Sequence, residues 1–167
     1  TTGTLSSADN NTGIGYGALD ALTSGDSNVA VGYNAGSSIN SGGYNVAIGR
    51  QALLTTTTPN DNVAIGNNAL RLNQTGARNI AIGASSLDGN LASDNVAVGN
   101  NALVANTTGA DNVAVGNNAL DANIDGASNV AVGKHALGAN IGGSHNTAVG
   151  LSALMTNTTG TFNTAVG

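Results

Sequence analysis

The chain repeats one short pattern of apolar and polar positions along nearly its whole length. The pentad Asn-[Val/Ile/Thr]-Ala-[Val/Ile]-Gly recurs at steps of about 17 residues, and a single step is shorter by one. Its copies begin at Asn11, Asn28, Asn45, Asn62, Asn79, Asn95, Asn112, Asn129, Asn146 and Asn163. Gly13 replaces the alanine in the first copy. A fixed period of this length is the signature of a solenoid in which each copy forms one coil.

Numbering each copy from its asparagine gives 17 columns, and alternation marks a strand at columns 2–4. Columns 2 and 4 carry Val, Ile or Thr, whereas columns 3 and 5 carry Ala and Gly. Large β-branched residues alternating with small ones are typical of a strand. We predict that the β-branched side chains face the interior and that the Ala and Gly columns face outward. The opposite assignment is also compatible with the pattern.

The rest of each copy suggests a second short extended stretch between two corners. Column 8 is Ala or Ser, and column 9 is Leu in all full copies except the one with Gly36. Column 15 is Gly in most copies, where we expect it to supply the positive φ of a corner. Two helices do not fit into a copy this short that also holds two fixed glycines. The predicted fold is therefore all-β, a parallel β-solenoid or β-roll of about 17 residues per coil.

The predicted organisation is a lead-in or capping segment followed by one repeat array. Residues 1–10 form the lead-in, and residues 11–167 form nine full coils and the start of a tenth. At ~4.8 Å per coil, nine coils span about 43 Å. The chain opens at Thr1 and stops inside a copy at Gly167, so we expect it to be a segment of a longer polypeptide.

The column-1 asparagines at the ten positions given above are predicted to form a structural ladder. Stacked amide side chains can hydrogen-bond from one coil to the next and so satisfy polar groups at a corner. The alternative is a row of ligands for a metal or a sugar. We favour the structural role.

Composition narrows the classes of function. Charged residues make up 8% of the chain, the net charge is −5, and only four residues are cationic. Four cations do not make a stripe that follows a phosphate backbone, so nucleic-acid binding is disfavoured. The absence of cysteine excludes disulfides and thiolate metal sites. No apolar run approaches the ~18 residues of a membrane-spanning helix, so we expect no membrane insertion.

Lateral association of identical chains is the predicted assembly. The Ala and Gly strip carries no charge in ten successive copies, and a coil of this size is expected to leave the column-9 leucines incompletely covered. The simplest arrangement is a parallel homotrimer around a central axis. A monomer with a thin wall is the alternative. The prediction holds whichever face of the strand points outward.

The repeats resemble two groups of known fibrous proteins. Pentads such as 112–116 with the following Ala119-Leu120, and corners such as 106–109 (Asn-Thr-Thr-Gly), are similar to the head repeats of trimeric autotransporter adhesins. They are more similar to repeats of phage tail fibres and bacterial surface fibre proteins. The resemblance covers residues 11–167, although the copies in this chain are longer than those of the autotransporter heads.

The resemblance implies a left-handed coil, a homotrimer, and a place outside the cell on a virion or cell surface. The function it implies is a structural or adhesive segment of an extracellular fibre, most simply a phage tail fibre. The alternative is the head of an autotransporter-type adhesin that binds glycan or matrix protein. A host-surface glycan or protein is the expected partner.

No catalytic, cofactor or metal site is predicted, and the chain is not expected to be an enzyme. The nine aspartates lie mainly in corner columns, where Asp is common for local hydrogen bonding. His135 and His145 share a coil without a neighbouring carboxylate or cysteine in the sequence, which is a weak zinc signal.

Three tyrosines are candidate surface contacts. Tyr16 and Tyr33 share column 6 in neighbouring copies, and Tyr44 ends the second copy. Stacked exposed tyrosines suit contact with a sugar or a protein. The alternative role is to cover the first coils.

A minor alternative is an ice-binding solenoid with rows of threonine. Residues 55–58 are four threonines, and several corners read Asn-Thr-Thr-Gly. Regular rows would need threonine in the same columns of every coil, but Ile124-Asp125 and Ile141-Gly142 interrupt them.

Overall fold

The computed structural model describes residues 8–167, so residues 1–7 of the predicted lead-in lie outside the described part. The described chain contains ten three-residue strands and no helix. The strands are β1 (Thr12–Ile14), β2 (Val29–Val31), β3 (Val46–Ile48), β4 (Val63–Ile65), β5 (Ile80–Ile82), β6 (Val96–Val98), β7 (Val113–Val115), β8 (Val130–Val132), β9 (Thr147–Val149) and β10 (Thr164–Val166). Each strand occupies columns 2–4 of its copy, as predicted.

The ten strands form one parallel sheet in sequence order, which confirms the predicted β-solenoid with one copy of the repeat per coil. Residues of the same column pair with each other, as Ala114 does with Ala131. The one shorter step leaves this register unchanged, because Ile80 pairs with Val96. Each strand contacts only the strands directly before and after it. Each copy therefore contributes one rung of a rod.

The prediction of which strand face points inward is wrong. The column-3 alanines of strands β2–β9 are fully buried, at positions 30, 47, 64, 81, 97, 114, 131 and 148. In contrast, no side chain of columns 2 and 4 is buried. Space inside the coil explains the reversal, since a Cβ built at Gly13 lies only 3.6 Å from Cδ1 of Leu19. Because the column-9 leucine extends across the thin interior from the opposite side of the coil, only a methyl group fits at column 3.

The column-9 leucines are the main apolar filling, and a single chain buries them. Six are fully buried, at positions 53, 70, 87, 103, 120 and 137, so the expectation of incomplete burial is wrong. All eight column-9 leucines have φ between 48° and 52°. This left-handed conformation costs roughly 1–2 kcal/mol, and burial of the side chain contributes about 1.5–3 kcal/mol. Burial therefore offsets the backbone strain.

The second side of each coil is a series of turns and contains no strand. Columns 7, 9 and 17 all have positive φ, which prevents a continuous extended segment. The backbone still hydrogen-bonds between coils, as when the Leu120 amide donates to the Ala136 carbonyl over 3.0 Å. The predicted second extended stretch is therefore wrong, although the stacking along the axis continues.

The column-15 glycines do not supply the positive φ that we predicted for them. The backbone of the next coil lies where a Cβ would be, since a Cβ at Gly42 would come within 2.5 Å of the Pro59 carbonyl oxygen. Close backbone approach is thus the reason for glycine there. Of the two columns that hold glycine in most coils, column 5 is the one with positive φ, at 128–140°.

The coil of residues 79–94 is one residue shorter than the other coils, and the deletion lies at an exposed corner. Asn79 Nδ2 donates to the Ala92 carbonyl over 2.9 Å, as Asn62 Nδ2 donates to the Gly76 carbonyl over 3.1 Å in the preceding coil. Ala92 therefore takes column 15, and Leu91 alone spans columns 13 and 14. The deletion leaves the strand and the core in register.

Candidate functional site

The column-1 asparagines form a buried ladder along the rod. The amide N and Nδ2 of Asn129 donate to Asn112 Oδ1 over 3.0 and 3.1 Å. Asn112 Nδ2 donates across the coil to the Gly126 carbonyl over 2.8 Å. Asn28, Asn45, Asn62, Asn79, Asn95, Asn112, Asn129 and Asn146 are fully buried, while the end members Asn11 and Asn163 are half-buried. These amides join successive coils and are not presented to a ligand.

A second asparagine ladder lies in column 12, and the sequence analysis missed it. Column 12 carries Asn73, Asn90, Asn106, Asn123, Asn140 and Asn157, and side-chain hydrogen bonds join Asn90 through Asn157 from coil to coil. Asn123 Nδ2 donates to Asn106 Oδ1 over 2.8 Å and to the Gly126 carbonyl over 2.9 Å. Leu22, Ile39 and Thr56 fill the same column in the first three coils, so the interior becomes more polar along the chain. The run of six asparagines at steps of 17 residues, with one step of 16, was the available signal.

Tyr16 and Tyr33 are stacked, whereas Tyr44 lies apart from them. The ring centroids of Tyr16 and Tyr33 are 5.6 Å apart, with 12° between the ring planes. The Arg50 guanidinium, next in column 6, lies 5.9 Å from the centroid of the Tyr33 ring. Tyr16 is 78% exposed and Tyr33 is 48% exposed. Tyr44 is exposed in column 17.

A cavity of about 670 Å³ that opens to solvent lies beside the stacked pair. We call it the tyrosine cleft. It is lined by Gly15, Tyr16, Gly17, Asp20, Tyr33, Asn34 and Ser37. These residues come from columns 5, 6, 7 and 10 of the first two coils. Its volume falls within the range of small-molecule sites.

The aspartates of the described residues do not gather into a reactive cluster. Arg71 Nε lies 2.9 Å from Asp88 Oδ1, and Arg78 Nε lies 2.7 Å from Asp94 Oδ1. Each pair joins equivalent columns of neighbouring coils. The hydrogen bond from Arg78 holds the pKa of the Asp94 carboxyl below its usual value. These ion pairs connect the corners of neighbouring coils.

The two histidines remain apart. His135 occupies column 7, whereas the ring of His145 in column 17 stacks on Phe162 at 4.7 Å. Residues 8–167 contain no group of three His, Cys, Asp or Glu side chains that could hold a metal ion.

Several corner threonines use their hydroxyl groups within the rod. Thr56 Oγ1 donates to the Asn73 carbonyl over 2.6 Å, and Thr107 Oγ1 donates to the Ile124 carbonyl over 3.0 Å. These hydroxyl groups join neighbouring coils.

Comparison with known proteins assigns no family to this chain. No protein-family model, curated protein or solved structure matches it. The resemblance to fibre and adhesin repeats therefore stays a prediction. Across residues 8–167, no helix is sufficiently long and apolar to cross a membrane.

Asp121 is a half-buried carboxyl in a corner whose surroundings change its pKa. Burial raises its pKa above the usual value, against the opposing effects of a hydrogen bond with its own backbone and the nearby His135. Folding thus favours the neutral acid. The contribution of this group to stability is full below the carboxyl pKa of the unfolded chain and is lost as pH rises through the higher folded pKa.

We expect the Asp121→Asn substitution to stabilise the folded chain at neutral pH and to have little effect at about pH 3, where both forms are neutral. Urea unfolding at the two pH values measures the difference. Asp111→Asn, at an exposed neighbouring corner, is the matched control. An equal gain for Asp121→Asn at both pH values would contradict the burial effect.

Proposed function

We propose that this chain is a structural and adhesive segment of an extracellular homotrimeric fibre, most simply of the phage tail-fibre kind. It would hold a receptor-binding part away from its anchor and contribute contacts through its corners. The observation that carries this proposal is the uncovered apolar surface on the outside of the sheet.

We call this surface the valine face, and it comprises columns 2 and 4 of strands β1–β10. Its inner strands expose side chains such as Ile82 at 38%, Val115 at 36% and Val132 at 37%. The face carries no charged residue in any strand. Six inner side chains of the face are 36–38% exposed, the other inner ones are half-buried and the end strands are more exposed, so the face amounts to on the order of several hundred Å². One partner buries a similar area in a standard protein interface, and monomers rarely expose an apolar patch this large.

Identical chains fit this face because they share its period. Its side chains repeat at the strand spacing along the rod, so a partner must carry the same spacing to match it over its length. A second copy meets that requirement in every coil. Three parallel copies around one axis cover all three valine faces together and close the assembly.

Light scattering on the purified chain tests the assembly. The expected mass is three times the chain mass of 16.1 kDa. The Val115→Lys and Val132→Lys double variant should lower the measured mass to that of the monomer, because each chain would place two charges in the interface. The control Asn117→Lys changes an exposed column-6 residue outside the valine face and should leave the mass unchanged. A monomeric parent chain would overturn the proposal.

A second candidate function is that the rod itself is an adhesin head. The tyrosine cleft favours this role, because it combines exposed aromatic rings with polar side chains in a cavity large enough for a small ligand. The two functions are compatible in one fibre.

A further inference from the structure

We propose that the two edges of the valine face bind each other between neighbouring chains and hold those chains at one height along the fibre. This contact rests on the homotrimer proposed above and names the side chains that meet in it. One edge is column 6, directly after each strand and its column-5 glycine. The other is column 17, the residue directly before column 1 of a strand. We call them the column-6 edge and the column-17 edge.

Symmetry decides which edges meet. Rotation of parallel chains about the fibre axis places the column-6 edge of one chain beside the column-17 edge of the next, at all three corners of the trimer. Closed rotation includes no shift along the axis, so facing residues lie at the same height. An even rise of ~4.8 Å per coil separates column 6 from the column-17 residue before the same strand by about 2 Å in height, and from the one after it by about 3 Å. Column 6 therefore faces the column-17 residue that precedes the same strand.

The residues on the two edges match at this height. Aspartate occupies column 17 before three strands only, β4, β6 and β7, and asparagine occupies column 6 after the same three strands only. All six of these residues are exposed. An asparagine Nδ2 group donates to a carboxylate, so each pair can form a hydrogen bond to a charged acceptor. The pairs are Asp61 with Asn67, Asp94 with Asn100, and Asp111 with Asn117.

The two members of a pair lie too far apart to meet within one chain. Asp111 and Asn117 are six positions apart across a strand, which amounts to roughly 15–20 Å of extended backbone. Asn117 Oδ1 accepts from the Asn100 amide N over 3.3 Å, so its Nδ2 remains as the donor. Asp94 already binds Arg78 within the chain. The Asp61 and Asp111 pairs therefore carry the proposed contact.

The charges on the two edges favour parallel chains. The column-6 edge carries Arg50 and Lys134 and no acid, whereas the column-17 edge carries the three aspartates and Arg78. At matched height, no cation on one edge faces a cation on the other, and no aspartate faces an acid. Antiparallel rods would instead pair the negative column-17 edge with itself. Lysine at position 117 would face an aspartate, so Asn117→Lys remains a control that leaves the trimer mass unchanged.

Cysteine cross-linking tests the contact, because the chain contains no cysteine. In the double variant with Asp111→Cys and Asn117→Cys, each thiol would lie beside the other kind of thiol on a neighbouring chain. Oxidation in air with copper–phenanthroline should link most of the protein into covalent trimers on a denaturing gel without reductant. Column 17 already holds Tyr, Arg, His and Phe at φ of 57–61°, so a cysteine there is compatible with the fold.

The controls vary the position of the thiols and keep their chemistry. Each single variant places only one kind of thiol at a corner and should stay uncross-linked. The mismatched double variant, Asp61→Cys with Asn117→Cys, sets the two thiols three coils apart, about 14 Å along the rod, which a disulfide does not span. The second matched variant, Asp61→Cys with Asn67→Cys, should give the covalent trimer again.

Failure of this contact would look different from failure of the fibre proposal. A trimeric mass by light scattering, with no covalent trimer from either matched variant, would overturn the edge contact alone. That result is expected if the matching residues reflect only duplication of one copy. Cross-linking of the mismatched variant to the same extent as the matched ones would overturn the shared height. A monomeric mass of the parent chain would overturn the fibre proposal, and the contact with it.

Discussion

Replacement of Gly116 by alanine is expected to lower the free energy of unfolding by at least about 3 kcal/mol, because two penalties coincide. The glycine has a φ of 136°, a conformation that alanine rarely adopts. A Cβ there would also lie 2.6 Å from the Gly133 carbonyl carbon and oxygen of the next coil. Relief requires the two coils to separate, which would strain the hydrogen bond from the Gly133 amide to the Val115 carbonyl.

Gly89→Ala is the matched control. Gly89 is not a positive-φ glycine, and the nearest atoms to a Cβ there are 3.9 Å away. This substitution should be neutral, or stabilising by about 0.4–1 kcal/mol through the unfolded chain. Urea unfolding followed by circular dichroism compares the two variants. Equal stability of the Gly116 and Gly89 variants would show that column 5 tolerates a side chain and that the stacking is looser than described.

The Asn112→Asp substitution is expected to destabilise the fold strongly, although it changes the size of the side chain very little. Asn112 Nδ2 donates to the Gly126 carbonyl over 2.8 Å, and an aspartate would place a second acceptor against that oxygen. The charge would also be fully buried with no cation beside it, and only Oδ1 would keep hydrogen bonds, from the amide N and Nδ2 of Asn129. We expect a loss of about 3–5 kcal/mol at pH 7, similar to that for an unpaired buried charge.

Acid should recover part of this loss, because the neutral acid can donate to the Gly126 carbonyl. The folded pKa of such an aspartate lies above its unfolded value, so stability is present at low pH and decreases as pH rises. Unfolding curves at pH 3 and pH 7 test this. Asn117→Asp, with the same chemical change at an exposed column-6 position, should show little loss. A pH-independent loss for Asn112→Asp would exclude charge burial as its cause.

The period of the sequence predicted most of the architecture. One coil per copy, the strand at columns 2–4 and the parallel register all follow from a constant spacing of like residues. The period does not predict which face of the strand is buried, because alternation separates two sets of side chains but does not indicate which set contacts the core. Because valine is larger than alanine, we expected the valines to fill the interior. The space beside Leu19, however, is large enough only for a methyl group. That space depends on the closed cross-section of the coil.

Other features could not be predicted from the sequence because they are unusual for the residue types involved. Leucine rarely adopts positive φ, so the conformation at column 9 could not be read from residue type. The stacking of Tyr16 on Tyr33 follows directly from their shared column. The cleft beside them does not, because the corner geometry decides that columns 7 and 10 line it with column 6. Repetition predicts neighbours along the rod more readily than neighbours across it.

Strand contacts restricted to adjacent coils make the rod extensible by whole copies. Duplication of one copy adds a layer that meets surfaces like those it replaces, so length can change without a new packing solution. The coil of residues 79–94 shows that a corner can also lose a residue while the strands remain paired. Genetic recombination between copies can therefore adjust the reach of this molecule in steps of about 4.8 Å without altering its girth.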